Sequence, residues 1–361
     1  MMRKTPGITH VATTDLSELL DPGTEPRQDL PGFDPEFVDF PDYIIRITDR
    51  IWHDRDVELI HRYYAPDCIV HTQAGTVIGV DPVLSGTKAT MVSFPDRRLE
   101  ADNVIWSQEP PMPGSPNPVF YSSHLITSKM TNTGESEFGP ATDKRIRVIT
   151  IADCLCRDNA IFEEWLVRDY AAILAQMDLD IDATARKFAA ADRAMGLDLV
   201  SLHAANHARV RAGEHRDPGL SDWSGWAREV LPALWEDGAD ATLRGLYDFR
   251  VGARFPWGRD LYGPDDVGDV IRAVKTAMPD LRVCVDHVCA VPYLGGAVDV
   301  AVRWSLAGHH TGDGWLGDAT GLPVYILGIS QFRVIRGRIR EEVTVWDDFA
   351  VRRMIEAGRD A

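Results

Sequence analysis

Two short stretches of this chain carry residues that could do chemistry: Glu163-Glu164-Trp165-Leu166-Val167-Arg168-Asp169 and Glu341-Glu342-Val343-Thr344-Val345-Trp346-Asp347. With the two-residue period of a strand, Glu163, Trp165, Val167 and Asp169 share one face, as do Glu341, Val343, Val345 and Asp347. Each run thus ends an apolar face on a carboxylate. A carboxylate half-buried among apolar side chains has a raised pKa and serves as a general base toward a proton on carbon. The bland alternative is a cap: Asp169 for a helix starting near Tyr170, and Asp347 or Asp348 for the last helix.

Other side chains could join such a site. His71 shares a strand face with Ile69 and Asp67, so it is either a pocket-facing imidazole or a satisfied core histidine. His124 lies on a strand between Ser123 and Leu125. His309 and His310 are adjacent, point to opposite strand faces, and only one can enter a pocket. Trp165 and Trp304 read as core or pocket wall. His203 and His207 stand at i, i+4 on a helix but lack a third ligand, which favours packing over metal. Cys154 and Cys156 have no second pair to complete a zinc site, and Cys284 and Cys289 read as buried thiols. There is no phosphate loop, dinucleotide fingerprint or nucleophile elbow, so no cofactor is expected.

The elements that position these residues follow in chain order. Six prolines before residue 42 mark an extended arm over 1–36, with Phe33, Phe37 and Phe40 able to dock. Helical spacing then runs from Tyr43 to Tyr64. A strand over Cys68–His71 and a helix opening at Asp81-Pro82 follow. Four strand-like runs come next, at roughly 99–106, 119–130, 144–156 and 160–169. An Ala-rich helical connector spans 179–217, and the first pattern restarts after Trp223.

The restart is a repeat. Gly79, Val83, Pro95-Asp96 and Asp102 match Gly263, Val267, Pro279-Asp280 and Asp286 at one offset, 184 residues. Thr133-Gly134-Glu135, Gly139, Ala141-Thr142 and Asp169 match Thr311-Gly312-Asp313, Gly317, Ala319-Thr320 and Asp347 at another, 178. The expected organisation is two copies of one domain, over 37–178 and 218–361.

Composition bounds the partners. With 361 residues, 45% hydrophobic and 26% charged, the chain reads as soluble and globular. A net charge of −17 disfavours nucleic acid and anionic membranes. Five cysteines make a disulfide framework improbable, no run of about 18 apolar residues could span a bilayer, and the first thirty residues are too polar for a secretory signal. A cytoplasmic location is expected.

Phe94-Pro95-Asp96, Thr133-Gly134-Glu135, Gly139-Pro140-Ala141-Thr142 and Glu163-Glu164-Trp165 ending in Asp169 resemble the SnoaL-like polyketide cyclases of the nuclear-transport-factor-2-like superfamily. In the second copy the likeness rests on Gly308-His309-His310-Thr311-Gly312-Asp313, Gly317-Asp318-Ala319-Thr320-Gly321 and Glu341-Glu342 ending in Asp347. The resemblance implies an α+β fold of two tandem cone-shaped barrels, each a bent antiparallel sheet wrapped around N-terminal helices, with one apolar pocket per copy.

The resemblance also implies a metal-free aldol-type cyclase or isomerase acting on a small apolar, polyketide-like molecule. Asp169 would be the general acid/base and His71 the polarising donor, with Asp347 and His310 in a second site. Glu163, Trp165, His124, Trp304 and Phe255 would meet the substrate. The copies differ: His71 aligns with Phe255, Trp165 with Val343, and His310 with Asn132. The competing expectation is a non-catalytic small-molecule binder or scaffold. A third is a water-activating enzyme like the epoxide hydrolases of the superfamily, for which Arg168, on the face opposite Asp169, does not supply the needed acid–arginine cluster. Two fused copies form an internal pseudo-dimer, or pair again as a homodimer.

Overall fold

A computed structural model describes residues 7–217, 219 and 221–359. The first six residues of the arm, residue 218 at the start of the second expected domain, residue 220 and the last two residues lie outside the described set. The chain divides into two units, Met1–His71 with Thr76–Leu166, and Thr72–Gly75 with Val167–Ala361.

In the first unit, helix Phe40–Trp52 starts at Asp39, whose carboxylate accepts the N–H of Asp42, and Pro41 occupies the first turn, where a missing N–H costs nothing. The helix buries Phe40, Tyr43, Ile44, Ile47 and Ile51, one stripe at 3.6-residue spacing. Phe33 of the arm packs edge-on to Tyr43 and Phe120, with ring centroids 4.9 and 5.5 Å away. The strands are β1 (Tyr64–Thr72), β2 (Gly75–Ile78), β3 (Arg98–Glu109), β4 (Val119–Thr131), β5 (Arg145–Arg157) and β6 (Ala160–Arg168), with helix Val80–Ser93 between β2 and β3.

The second unit holds helices Tyr170–Gln176, Ile181–Ala194, Leu199–Arg211 and Ser224–Pro232, the last running into a π turn over Ala233–Asp237. Then come β7 (Tyr247–Phe255), β8 (Arg259–Tyr262), helix Gly263–Ala277, β9 (Arg282–Pro292), β10 (Val298–His309), β11 (Pro323–Ile335), β12 (Arg338–Trp346) and helix Asp348–Arg359. Its core gathers Trp235, Trp304, Phe332, Trp346 and the valines of β9 and β10.

The two sheets have the same order, β2-β1-β6-β5-β4-β3 and β8-β7-β12-β11-β10-β9. This architecture corrects the expected cone-shaped barrels. Closure requires the two outermost strands to hydrogen-bond to each other, and β2 and β3, like β8 and β9, lie at opposite ends of open sheets. Nor are the sheets antiparallel throughout: β1 pairs with β6, and β7 with β12, in parallel, so each sheet is mixed.

Register also corrects one residue correspondence. His71 lies opposite Trp165, and Arg254 lies opposite Val343. The counterpart of His71 is therefore Arg254, not Phe255; a slip of one residue moves a side chain to the other face of its sheet.

The repeated Thr-Gly-acid motif is explained by packing. The N–H of Gly134 donates to the Ser93 carbonyl and that of Gly312 to the Ala277 carbonyl, each at the end of the helix before β3 or β9. A Cβ would stand 2.0 Å from the Val92 carbonyl oxygen at Gly134, and 1.9 Å from that of Thr276 at Gly312. Only glycine permits this approach. His310 belongs to the same knot: it is fully buried, its carbonyl accepts the N–H groups of Thr320 and Gly321, and its Nδ1 lies 3.1 Å from Thr320 Oγ1. Asn132 matches it, with Oδ1 accepting the N–H of Thr142.

Candidate functional site

Both terminal carboxylates cap helices. Asp169 Oδ1 accepts the N–H groups of Ala172 and Trp257, each at 3.0 Å, and Oδ2 accepts that of Gly258 at 2.9 Å. Burial pushes its pKa up to about 6, against the pull of these three donors. Asp347 accepts the N–H of Ala350 at 3.0 Å, in the first turn of the last helix. Asp169 thereby holds the turn Pro256-Trp257-Gly258, in which Trp257 sits at φ 73°, a strained value for a residue with a side chain.

That turn forms one wall of a cleft of about 270 Å³ in the second unit. Trp257, Trp315 and Trp346 supply indole surfaces, helix Gly263–Ala277 supplies Val270, Ala273 and Val274, and Arg259 and Arg352 supply the charges. Asp348 organises the walls: it is fully buried and accepts from Trp257 Nε1 at 2.8 Å, Arg352 Nε at 3.0 Å and Trp346 Nε1 at 3.4 Å. Arg352 also donates to Asp182 and to the Trp315 carbonyl, with its guanidinium 5.4 Å from the Trp257 ring centroid. Phe255 does not line this cleft but stands edge-on behind Trp346, at 6.1 Å.

Deeper in the second unit runs a buried polar chain. Trp304 Nε1 donates to Ser330 Oγ at 2.9 Å, Ser330 and Thr344 share a hydrogen bond of 2.7 Å, and Thr344 Oγ1 donates to Glu342 Oε1 at 2.5 Å. Tyr247 OH donates to Glu342 Oε2, also at 2.5 Å. Burial raises the Glu342 carboxyl to about 7, though both hydroxyls favour its anion. Trp304 is core rather than a wall of the cleft: its ring packs 5.4 Å from that of Trp235.

The first unit keeps the tyrosine–glutamate pair, with Tyr64 OH 3.1 Å from Glu164 Oε2. His124 lies opposite Val104 and Ala152, both core residues, so it too points into that core. Its Nε2 is buried without a hydrogen-bond partner among the described residues, and burial depresses its pKa to about 3. On the opposite face, three expected residues come together. His71 Nε2 is 2.8 Å from Glu163 Oε1, and its ring stacks on Trp165 at 5.1 Å. The His71 and Glu163 side chains are about 30% exposed, while Trp165 is buried.

His203 donates to the Gln73 carbonyl at 2.8 Å and stacks on Tyr325, and His207 lies 3.1 Å from the Gly308 carbonyl oxygen, which is a packing role for both. Among the described residues no three His, Cys, Asp or Glu side chains gather as a metal-holding group, and no helix is long and apolar enough to cross a membrane.

Glu164 and Glu342, rather than Glu163 and Glu341, face the interiors, and the cleft adds Trp257, Arg259, Trp315 and Arg352, none of them among the expected residues. A signal for Glu164 and Glu342 existed: each recurs at the offset of 178, and the tyrosines that reach them, Tyr64 and Tyr247, recur at 183. The cleft residues carried none, since they come from a turn, a loop, two strand ends and two helices of the second copy.

The family model described as SnoaL-like polyketide cyclase matches residues 227–355. That segment is similar to the SnoaL-like family. It is about a third of the chain, and it contains every residue lining the cleft. A search of curated proteins finds no match. Among solved structures, IdmH of Streptomyces antibioticus is similar at 21% identity over 36% of this chain and 96% of its own, with a TM-score of 0.30. TsrD of Streptomyces laurentii is similar at 18% identity over 37% and 94%, with a TM-score of 0.31.

Proposed function

We propose that the second unit binds a small planar apolar molecule, and that the chain is a small-molecule-acting protein of the SnoaL-like kind. The observation that carries this reading is the cleft itself: three indole walls around about 270 Å³, within the SnoaL-like segment. That volume lies near the lower end of the roughly 300–1,000 Å³ of small-molecule sites and suits two or three fused rings. Titration with a fused-ring ester such as methyl 2-naphthoate should quench tryptophan fluorescence saturably, and Trp257→Ala should weaken binding about 10-fold or more. An unquenched, non-saturating signal in the wild type sinks the proposal.

A second reading, catalysis of the cyclase or isomerase type, is favoured by His71, Glu163 and Trp165 in the first unit. If Nε2–H donates to Glu163, then Nδ1, 3.5 Å from Thr76 Oγ1, is the basic atom of a side chain about 30% exposed beside the Trp165 platform. Removing a proton from carbon beside a carbonyl would leave an imidazolium stabilised by the Glu163 carboxylate. Asp169, with both oxygens engaged by backbone N–H groups, has no part in this reading. The test is exchange of α-protons of a fused-ring β-keto ester in deuterated water. His71→Ala should abolish the enzyme-dependent exchange and Glu163→Gln should slow it about 10-fold or more. Full exchange by His71→Ala would remove the catalytic reading and leave the binding one.

A further inference from the structure

We propose that the cleft of the second unit takes its ligand as an anion, a planar aromatic carboxylate whose carboxylate group meets Arg259. The inference rests on the cleft being the ligand site, and it adds the charge of what enters.

The two guanidinium groups on the cleft wall are in different states. Arg352 is committed: Asp348, Asp182 and the Trp315 carbonyl take its donors, and its plane lies over Trp257. The Arg259 side chain is half-buried and makes no hydrogen bond or ion pair with the described residues. In a chain with 55 acids against 38 lysines and arginines, a guanidinium beside apolar walls with no internal acceptor is unexpected. Elsewhere in this unit Arg244, Arg272, Arg282, Arg333 and Arg353 each have a carboxylate.

The geometry selects the class of anion. A guanidinium presents a planar fork that matches a carboxylate through two parallel N–H···O bonds. Indole walls favour a flat ring system attached to it. Asp348 is buried behind the same walls, and Asp169 lies behind the turn that carries Trp257. With Arg352 neutralised by Asp348, the single uncommitted guanidinium of Arg259 favours a monoanion over a phosphate dianion.

The measurement compares 2-naphthoate with methyl 2-naphthoate, by calorimetry and tryptophan fluorescence, on the full chain and on Arg259→Gln. A preference of about 10-fold or more for 2-naphthoate is expected in the wild type, weakening as salt rises and disappearing in Arg259→Gln. Arg259 makes no hydrogen bond or ion pair with the described residues, so circular dichroism should show that variant folded. Equal binding of acid and ester to the wild type, or an undiminished preference in Arg259→Gln, overturns the carboxylate inference and leaves the cleft as a neutral-ligand site. Binding of neither compound overturns both.

Discussion

The two units carry the same sheet with different interiors. By register, the row Ser122–Cys154 of the first unit corresponds to Val300–Phe332 of the second, His124–Ala152 to Val302–Ser330, and Ile126–Thr150 to Trp304–Gly328. Side-chain pairs survive in both, among them Tyr64 with Glu164 as Tyr247 with Glu342, and Thr127 with Asp102 as Ser305 with Asp286. What both copies keep belongs to the scaffold; what only one has belongs to that copy's task. In the second unit Trp304 fills the core so closely that a Cβ on Gly328 would lie 2.2 Å from its ring. The cleft lies at the margin of that core, beside Trp257, Trp315 and Trp346. In the first unit the exposed polar group stands on the opposite face, where His71 and Trp165 replace Arg254 and Val343.

The sharpest test of the shared scaffold is a methyl group. Gly134→Ala and Gly312→Ala each force a Cβ to within about 2 Å of a carbonyl oxygen, and each should cost about 3–5 kcal/mol, read from chemical denaturation. Loss in only one copy would break the equivalence of the two knots.

The interiors should then separate by pH. Glu342, raised to about 7, holds its proton more tightly in the folded chain than in the unfolded one. Its contribution to stability is fully present below the ordinary glutamate pKa and is lost as pH rises through about 7, on the order of 3 kcal/mol in all. Glu342→Gln should flatten that limb. His124, depressed to about 3, behaves oppositely: its contribution is present above the ordinary histidine pKa and is lost as pH falls from about 6.5 toward 3. His124→Val, which installs the residue of the second unit, should flatten the acid limb by about 2 kcal/mol at pH 5. Identical pH profiles for the two variants would erase the distinction between the interiors.

Much of the fold was legible because strands and repeats are written locally. The runs expected at 99–106, 119–130, 144–156 and 160–169 are β3 to β6 with ends shifted by a few residues. Closure was not legible, because whether edge strands meet depends on curvature summed over six strands. Faces were half legible. The parallel pairing of β1 with β6 places His71 beside Glu163 and Trp165, two residues the strand period puts on one face, yet Asp169, four residues from Trp165, leaves the strand to cap a helix. The cleft was illegible since it depends on a turn held at positive φ by a carboxylate 88 residues away in sequence.

Asp169 and Asp347, the matched acids that follow β6 and β12, give the finest comparison. Each caps a helix, but Asp169 also accepts two N–H groups from the turn that carries Trp257. Losing a cap costs about 1 kcal/mol and each buried N–H left unmatched a further ~1–3 kcal/mol, so Asp169→Ala should lose about 3 kcal/mol or more, and Asp347→Ala at least the ~1 kcal/mol of its cap. Asp169→Asn tests the turn alone. Its amide can still accept from Trp257 and Ala172 through one oxygen, but its NH2 would face the Gly258 N–H. That variant should fold with a modest loss of stability and bind methyl 2-naphthoate several-fold more weakly, because the strained indole is no longer held. Unchanged binding with a lowered midpoint would show that the wall stands without its clamp.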